Sequence, residues 1–143
     1  MRRLTWLASL LLLIVALGIT TGVRASAQGP RKDGWTIPQG AEKESSPLPV
    51  NAALLAGGQK IFASKCRRCH GPQGRGDGPD ADKKHLHHMN LTAADRAAEN
   101  PDGVVFHKVW NGRSSPKMPR FGDELSREQV WAVVAYVQTL RSR

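Results

Sequence analysis

The chain has 143 residues, and its 21 basic and 12 acidic side chains give a formal net charge of +9. This length allows about one domain with a small core. A basic chain could bind nucleic acid, but the N-terminal segment predicts that this protein is exported, and exported proteins seldom encounter nucleic acid. The charge therefore indicates either an acidic partner protein or a generally basic surface.

Residues 1–27 read as an export signal. Two arginines are followed by an uncharged stretch at 4–23, and the small residues at 25–27 match a cleavage site. Cleavage would leave 18 basic and 12 acidic residues. The alternative is an uncleaved anchor, because twenty uncharged residues can span a bilayer and would bring membrane contact. Both readings predict a periplasmic or otherwise exported protein.

Residues 28–50 form an extended linker or arm, rich in proline, glycine, serine and charge. Within it, Trp35 and Ile37 could dock on the domain surface. The remaining residues, 51–143, form the predicted domain, which begins with a helix capped by Asn51. The glycine at position 58 lies inside this helix at a cost of about 1 kcal/mol, which predicts close approach of a second helix.

The first helix leads into Cys66-Arg-Arg-Cys-His70, which holds both cysteines of the chain. This spacing is the attachment signature of a c-type haem, with Cys66 and Cys69 as covalent anchors and His70 as an iron ligand. Three alternatives remain: a zinc site, a thioredoxin-like redox pair and a structural disulfide. Zinc sites usually space their histidines further downstream, and no strand pattern suggests a thioredoxin-like setting.

The glycine-rich residues 71–79 follow the motif and predict a loop that turns tightly against the porphyrin. A liganding histidine usually donates its other N–H to a nearby acceptor, for which we predict the Pro79 carbonyl. Further helices are expected at 92–99, at 102–111 and at the C-terminus, where Ser126 begins a capping box. No segment alternates as a strand, so the fold class is all-α.

Gly58-x-x-x-Phe62, CRRCHG, GDGP and Met118-Pro-Arg-Phe121 occur in the order found in small bacterial class I cytochromes c, which residues 51–143 resemble. The resemblance implies the cytochrome c fold, three to four helices around one covalently bound haem c. It also implies that first and last helices cross and that a late methionine completes the iron. The segment 85–92 departs from the family pattern, which often has a proline before Leu-Thr.

Met118 is the predicted sixth ligand, because its polar, proline-bracketed loop is a poor place for a core methionine and a thioether suits iron. Met89 is the rival thioether. A bis-histidine iron remains an alternative, with its second ligand drawn from the remaining histidines: His85, His87, His88 and His107.

With two protein ligands on iron, the predicted function is electron transfer and not enzyme catalysis. Expected partners are redox proteins with acidic docking surfaces, such as membrane respiratory complexes, and the protein is either a free carrier or a subunit. The alternative is a haem-based gas sensor or peroxidase-like enzyme with an open sixth site. Five cations flank the haem segments and form a predicted basic rim: Lys65, Arg67, Arg68, Lys117 and Arg120.

Overall fold

The computed structural model describes residues 34–141, so the predicted export signal lies outside the described residues. The described part is all-α, as predicted, and contains two isolated β-bridges but no strand. A π-helical turn joins α1 to α2, and single 3-10 turns occur at Ala41–Lys43 and Lys83–His85. The helices are α1 (Ala52–Ile61), α2 (Arg67–His70), α3 (Leu86–Met89), α4 (Ala94–Glu99), α5 (Asp102–Asn111) and α6 (Arg127–Arg141).

Helices α1 and α6 cross at Gly58, as the sequence predicted. A Cβ built on this glycine would lie 2.0 Å from the carbonyl oxygen of Ala132. Just beyond the crossing, Phe62 packs against Tyr136 with ring centroids 5.4 Å apart. The glycine therefore lets the two backbones approach closely. This contact fixes the position of the haem-binding motif that follows α1.

Helix α6 is buried over much of its surface and provides one wall of the core. Its predicted capping box forms: the Ser126 N–H donates to Gln129 Oε1 at 2.8 Å, and the Gln129 N–H donates to Ser126 Oγ at 3.3 Å. Phe106 of α5 stacks on Trp131 of α6, with centroids 4.5 Å apart. The aromatic contact fixes α5 against α6.

Residues 34–50 pack on the domain through Trp35 and Ile37, which are only 5% and 3% exposed. These side chains form a second apolar cluster with Ala41 and with Val104 of α5. The Asn111 side-chain amide donates to the Thr36 carbonyl at 2.8 Å and holds this segment in place. The described part of the arm is thus attached to the domain surface, as its aromatic and aliphatic residues suggested.

Two local differences from the sequence-based expectations occur between residues 83 and 99. The short α3 and its preceding 3-10 turn occupy residues 83–89, for which no helix was predicted, and α4 begins at Ala94 instead of Thr92. The Asn90 side chain accepts hydrogen bonds from both the N–H and the hydroxyl of Thr92, which keeps that residue out of the helix. Within residues 34–141, no helix has the length and apolar character needed to cross a membrane.

Candidate haem site

The two cysteines lie at the end of the first helical segment. The π-helical turn Phe62–Cys66 ends where the Arg67 N–H donates to the Phe62 carbonyl, five residues back. Both cysteines are free thiols. Burial, and to a smaller extent Cys69, raises the pKa of Cys66 to about 12, so this sulfur is a neutral thiol. Because Cys66 and Cys69 are not bonded to each other, the structure does not support the structural-disulfide alternative.

His70 is oriented by the carbonyl of Met89, which lies 2.8 Å from Nδ1. Because a carbonyl only accepts, Nδ1 carries the hydrogen and Nε2 keeps its lone pair. Burial lowers the pKa of His70 and so favours the neutral ring. The hydrogen bond to Met89 acts in the opposite direction but is the smaller effect. The prediction of Pro79 as the acceptor is wrong. The sequence offered only an indirect signal, the departure of the segment 85–92 from the family pattern.

The glycine-rich loop holds the Met89 carbonyl near His70. The Gly76 N–H donates to the His70 carbonyl at 2.8 Å, and the Leu91 N–H donates to the Gly74 carbonyl at 2.7 Å. Gly76 has φ +79°, and a Cβ there would lie 2.9 Å from the Asn90 nitrogen. These glycines therefore allow close approach to the protein backbone on the His70 side.

Met118 lies in the loop between α5 and α6, where its backbone pairs with Arg113. The Arg113 N–H donates to the Met118 carbonyl at 2.9 Å, and the Met118 N–H donates to the Arg113 carbonyl at 3.0 Å. The half-buried Met118 side chain contacts both the main core and the Trp35 cluster. The rival Met89 is buried, and its backbone carbonyl is the acceptor for His70.

The predicted haem residues surround two adjoining cavities. Both cavities are partly open to solvent, and their volumes of about 660 Å³ and 470 Å³ include some of that open space. Cys69 lines the second cavity only. The residues that line both are Trp35, Cys66, His70, His88 and Met118.

The lining of the larger cavity fits a haem. Its walls are mainly apolar, as a porphyrin requires, with valines from α5 and α6 facing Phe62 and Leu91. Haem also carries two propionate carboxylates, which need hydrogen-bond donors or cations. The same cavity supplies such groups, and sequence reasoning had not identified them: Arg96, Asn100, Lys108 and Arg141.

The remaining histidines have local polar neighbours. His85 Nδ1 lies 2.8 Å from Asp82, and His107 Nε2 lies 3.0 Å from Glu44. His88 lines the cavities, where burial and the neighbouring Arg96 and Arg113 lower its pKa. Within residues 34–141, no group of three or more His, Cys, Asp or Glu side chains could hold a metal ion, so the zinc alternative lacks a ligand set there.

The basic rim is partly neutralised by carboxylates. Lys65 pairs with Glu124, Arg68 with Asp80, and Arg120 with Asp123. Among the described residues, Arg67 and Lys117 have no ion pair. Lys65 and Lys117 both line the second cavity beside the cysteines. The positive charge next to the haem segments is therefore smaller than the five cations alone suggest.

Comparisons with known proteins agree with this geometry. Residues 53–137 match the family model described as cytochrome C oxidase, cbb3-type, subunit III. A cytochrome c6 from a Synechococcus strain is 34% identical over 89 residues, covering 62% of this chain and 72% of the relative. Cytochrome c6 of Parathermosynechococcus lividus is 32% identical over 85 residues, covering 59% of this chain and 88% of the relative.

The cbb3-type cytochrome c oxidase subunit FixP of Azorhizobium caulinodans is 30% identical over 96 residues, covering 67% of this chain but only 30% of FixP. The family match includes the haem signature and the Met118 loop, whereas the arm lies outside it. The predicted resemblance to class I cytochromes c is confirmed. The chain belongs to the cytochrome c oxidase, cbb3-type, subunit III family and is a c-type cytochrome that carries one covalently bound haem and transfers electrons.

Proposed function

We propose that Cys66 and Cys69 would hold the haem covalently and that His70 and Met118 would be the ligands of its iron. The observation that carries this proposal is that residues far apart in the sequence line the same pair of cavities. Each thioether bond would form by addition of a cysteine S–H across a vinyl group.

The bound haem supplies a one-electron couple, and the protein residues set its environment. The Met89 carbonyl fixes the ring of His70 and leaves Nε2 as the donor atom. The Met118 sulfur is a weaker donor to ferric iron than a second imidazole, which favours a higher reduction potential. Apolar side chains around the larger cavity exclude water and also favour the less charged, reduced form.

With His70 and Met118 as iron ligands, the protein would serve as a carrier and would offer no open iron site to a substrate. The sensor or peroxidase-like alternative needs such an open site. We further propose that residues 1–27 direct export or anchor the chain, and that the partners are respiratory proteins with acidic docking surfaces. The similarity to cytochrome c6 and to an oxidase subunit supports redox partners, and Lys65 and Lys117 at the second cavity offer charge for docking.

The decisive experiment compares the ferric holoprotein with its Met118→Ala variant. We expect the wild type to show the weak near-infrared charge-transfer band of sulfur bound to ferric iron and to bind cyanide slowly. Met118→Ala should lose the band, bind cyanide at least about tenfold faster because the competing ligand is gone, and have a lower reduction potential.

Met89→Ala is the matched control and should keep the band, because only the Met89 backbone carbonyl bonds His70. Loss of the band in Met89→Ala and its retention in Met118→Ala would show that Met89, and not Met118, is the sulfur ligand. A wild type without the band that binds cyanide readily would instead support the open-site alternative.

Covalent attachment has its own test. A proteolytic digest of the holoprotein should yield one haem peptide that contains both cysteines.

A further inference from the structure

The arm packs against the residues that hold Met118. The Trp35 cluster contacts the Met118 side chain, and Trp35 lines both cavities together with Met118. Trp35 lies outside the family match, which begins at residue 53. The indole is therefore a wall of the haem cavity that the family segment does not itself supply.

Arg113 connects Trp35 to the Met118 loop. Its guanidinium carbon lies 4.2 Å from the centroid of the Trp35 ring, a distance at which cation and ring attract each other. Its Nε donates to the Pro116 carbonyl at 2.9 Å, and its backbone makes the two hydrogen bonds with Met118. Movement of Trp35 would thus disturb both ends of the short segment that carries the sulfur.

The arm is fixed to α5 at points away from the cavity. The Gly103 N–H donates to the Glu44 carbonyl at 3.2 Å, and Glu44 also lies 3.0 Å from His107 Nε2. A Cβ on Gly103 would lie 2.1 Å from the Ala41 carbonyl oxygen and 2.5 Å from Glu44 Cβ. This close approach requires a glycine, so the docked position of the arm is built into α5.

We propose that residues 34–44 are a positioning element for the sixth iron ligand, in which Trp35 keeps Met118 against the iron and exogenous ligands out. The inference rests on the proposed ligation by Met118. It assigns the arm a role in the redox centre instead of that of a spacer. Trp35 acts through Met118 and Arg113, so it is a positioning residue and not a ligand.

The test uses the full-length ferric holoprotein and two ways of disturbing the arm. Trp35→Ala removes the wall, and Gly103→Ala displaces the arm from α5 without altering any cavity residue. We expect cyanide binding to accelerate about tenfold in Trp35→Ala and about threefold in Gly103→Ala, because the opened form is more populated. Both should also weaken the near-infrared band and lower the reduction potential.

Two controls separate positioning from general loss of stability. Gly57→Ala makes the same helical substitution where a Cβ meets nothing within 4 Å, so it should leave band and cyanide rate unchanged. Trp35→Phe keeps an aromatic wall and should restore most of the wild-type behaviour. If Trp35→Ala does not fold, the band, the potential and the cyanide rate of Gly103→Ala test the proposal.

The inference is overturned if the folded Trp35→Ala and Gly103→Ala proteins keep the wild-type band, potential and cyanide rate, even if their melting temperatures fall. That result would leave Met118 ligation intact, because the wild-type band and its loss in Met118→Ala report on ligation separately. A wild type without the band would refute Met118 ligation and this inference together.

Discussion

The His70 and Met118 sides of the cavity are supported by different kinds of contact. On the His70 side, main-chain groups provide the support: the Met89 carbonyl bonds the ring, and the Gly76 N–H bonds the His70 carbonyl. On the Met118 side, backbone pairing with Arg113 is supplemented by packing against Trp35, from a distant part of the chain.

This difference predicts unequal resistance to opening. A network of buried backbone hydrogen bonds is costly to break, because each separated donor or acceptor loses its partner. A side chain packed against a docked segment can be released when that segment lifts, which is a local event. The structure therefore favours a firmly held histidine and a methionine whose proposed bond to iron would depend on tertiary packing.

Gly58→Ala should have the largest effect, because the helix crossing supports both sides. The added Cβ would lie 2.0 Å from the Ala132 oxygen and 2.9 Å from Tyr136 Cβ, so α1 and α6 must separate. We expect the free energy of unfolding of the holoprotein to fall by about 3 kcal/mol or more. Denaturant titration would measure the loss.

Gly57→Ala adds the same methyl group one residue earlier, into open space. It should stabilise the protein by about 0.5–1 kcal/mol, because alanine favours the helix. Equal stabilities of the two variants would show that the crossing can relax and that its glycine is not needed for close approach.

Gly76→Ala should weaken the His70 side selectively. The residue has φ +79°, and its Cβ would lie 3.0 Å from the Met89 carbonyl carbon. Left-handed strain and this contact together should lower the free energy of unfolding by about 2–3 kcal/mol. The near-infrared band should persist in the folded fraction, because the contacts around Met118 are unchanged.

Gly40→Ala is the control for strain alone, since φ is +86° there but a Cβ meets nothing within 4 Å. It should lower the free energy of unfolding by only about 1 kcal/mol. If the two alanine variants lose the same stability, the close approach to Met89 contributes nothing and the comparison of the two sides is wrong on this point.

The helical scaffold was predictable because its signals are local. The capping box at Ser126 and the glycine at position 58 each report a constraint that can be recognised in a short stretch of sequence. The start of α4 was placed two residues early because the Asn90 side chain competes for Thr92. Such competition depends on a loop conformation that helical periodicity does not encode.

The site was less predictable where it depends on tertiary contacts. The partner of His70 was misassigned to Pro79, because a carbonyl acceptor can come from any residue type and leaves no side-chain signature. Arg96, Asn100 and Arg141 come from separate parts of the chain and line one cavity. No local sequence motif therefore identifies them as a group. The ion pairs of the basic rim likewise join residues distant in sequence, such as Lys65 and Glu124.

Changes to the basic rim should have the smallest effects and leave both sides of the haem intact. Lys117→Gln removes a cation without an ion pair in the described structure, whereas Glu124→Gln removes the carboxylate that offsets Lys65. At low salt, oxidation of the ferrous protein by hexacyanoferrate(III), an anionic probe, should slow about twofold in the first variant and accelerate about twofold in the second. A cationic cobalt(III) oxidant should show the opposite order.

Both differences should disappear near 1 M salt, where the Debye length falls to about 3 Å and exposed charges are screened. The paired double variant Arg68→Gln/Asp80→Asn is the control, since it removes one charge of each sign and should match the wild type at every ionic strength. Stopped-flow rates unaffected by salt in all four proteins would mean that the rim does not steer encounters. The predicted acidic docking partner would then lose its electrostatic argument, while the proposed ligation by His70 and Met118 would stand unaltered.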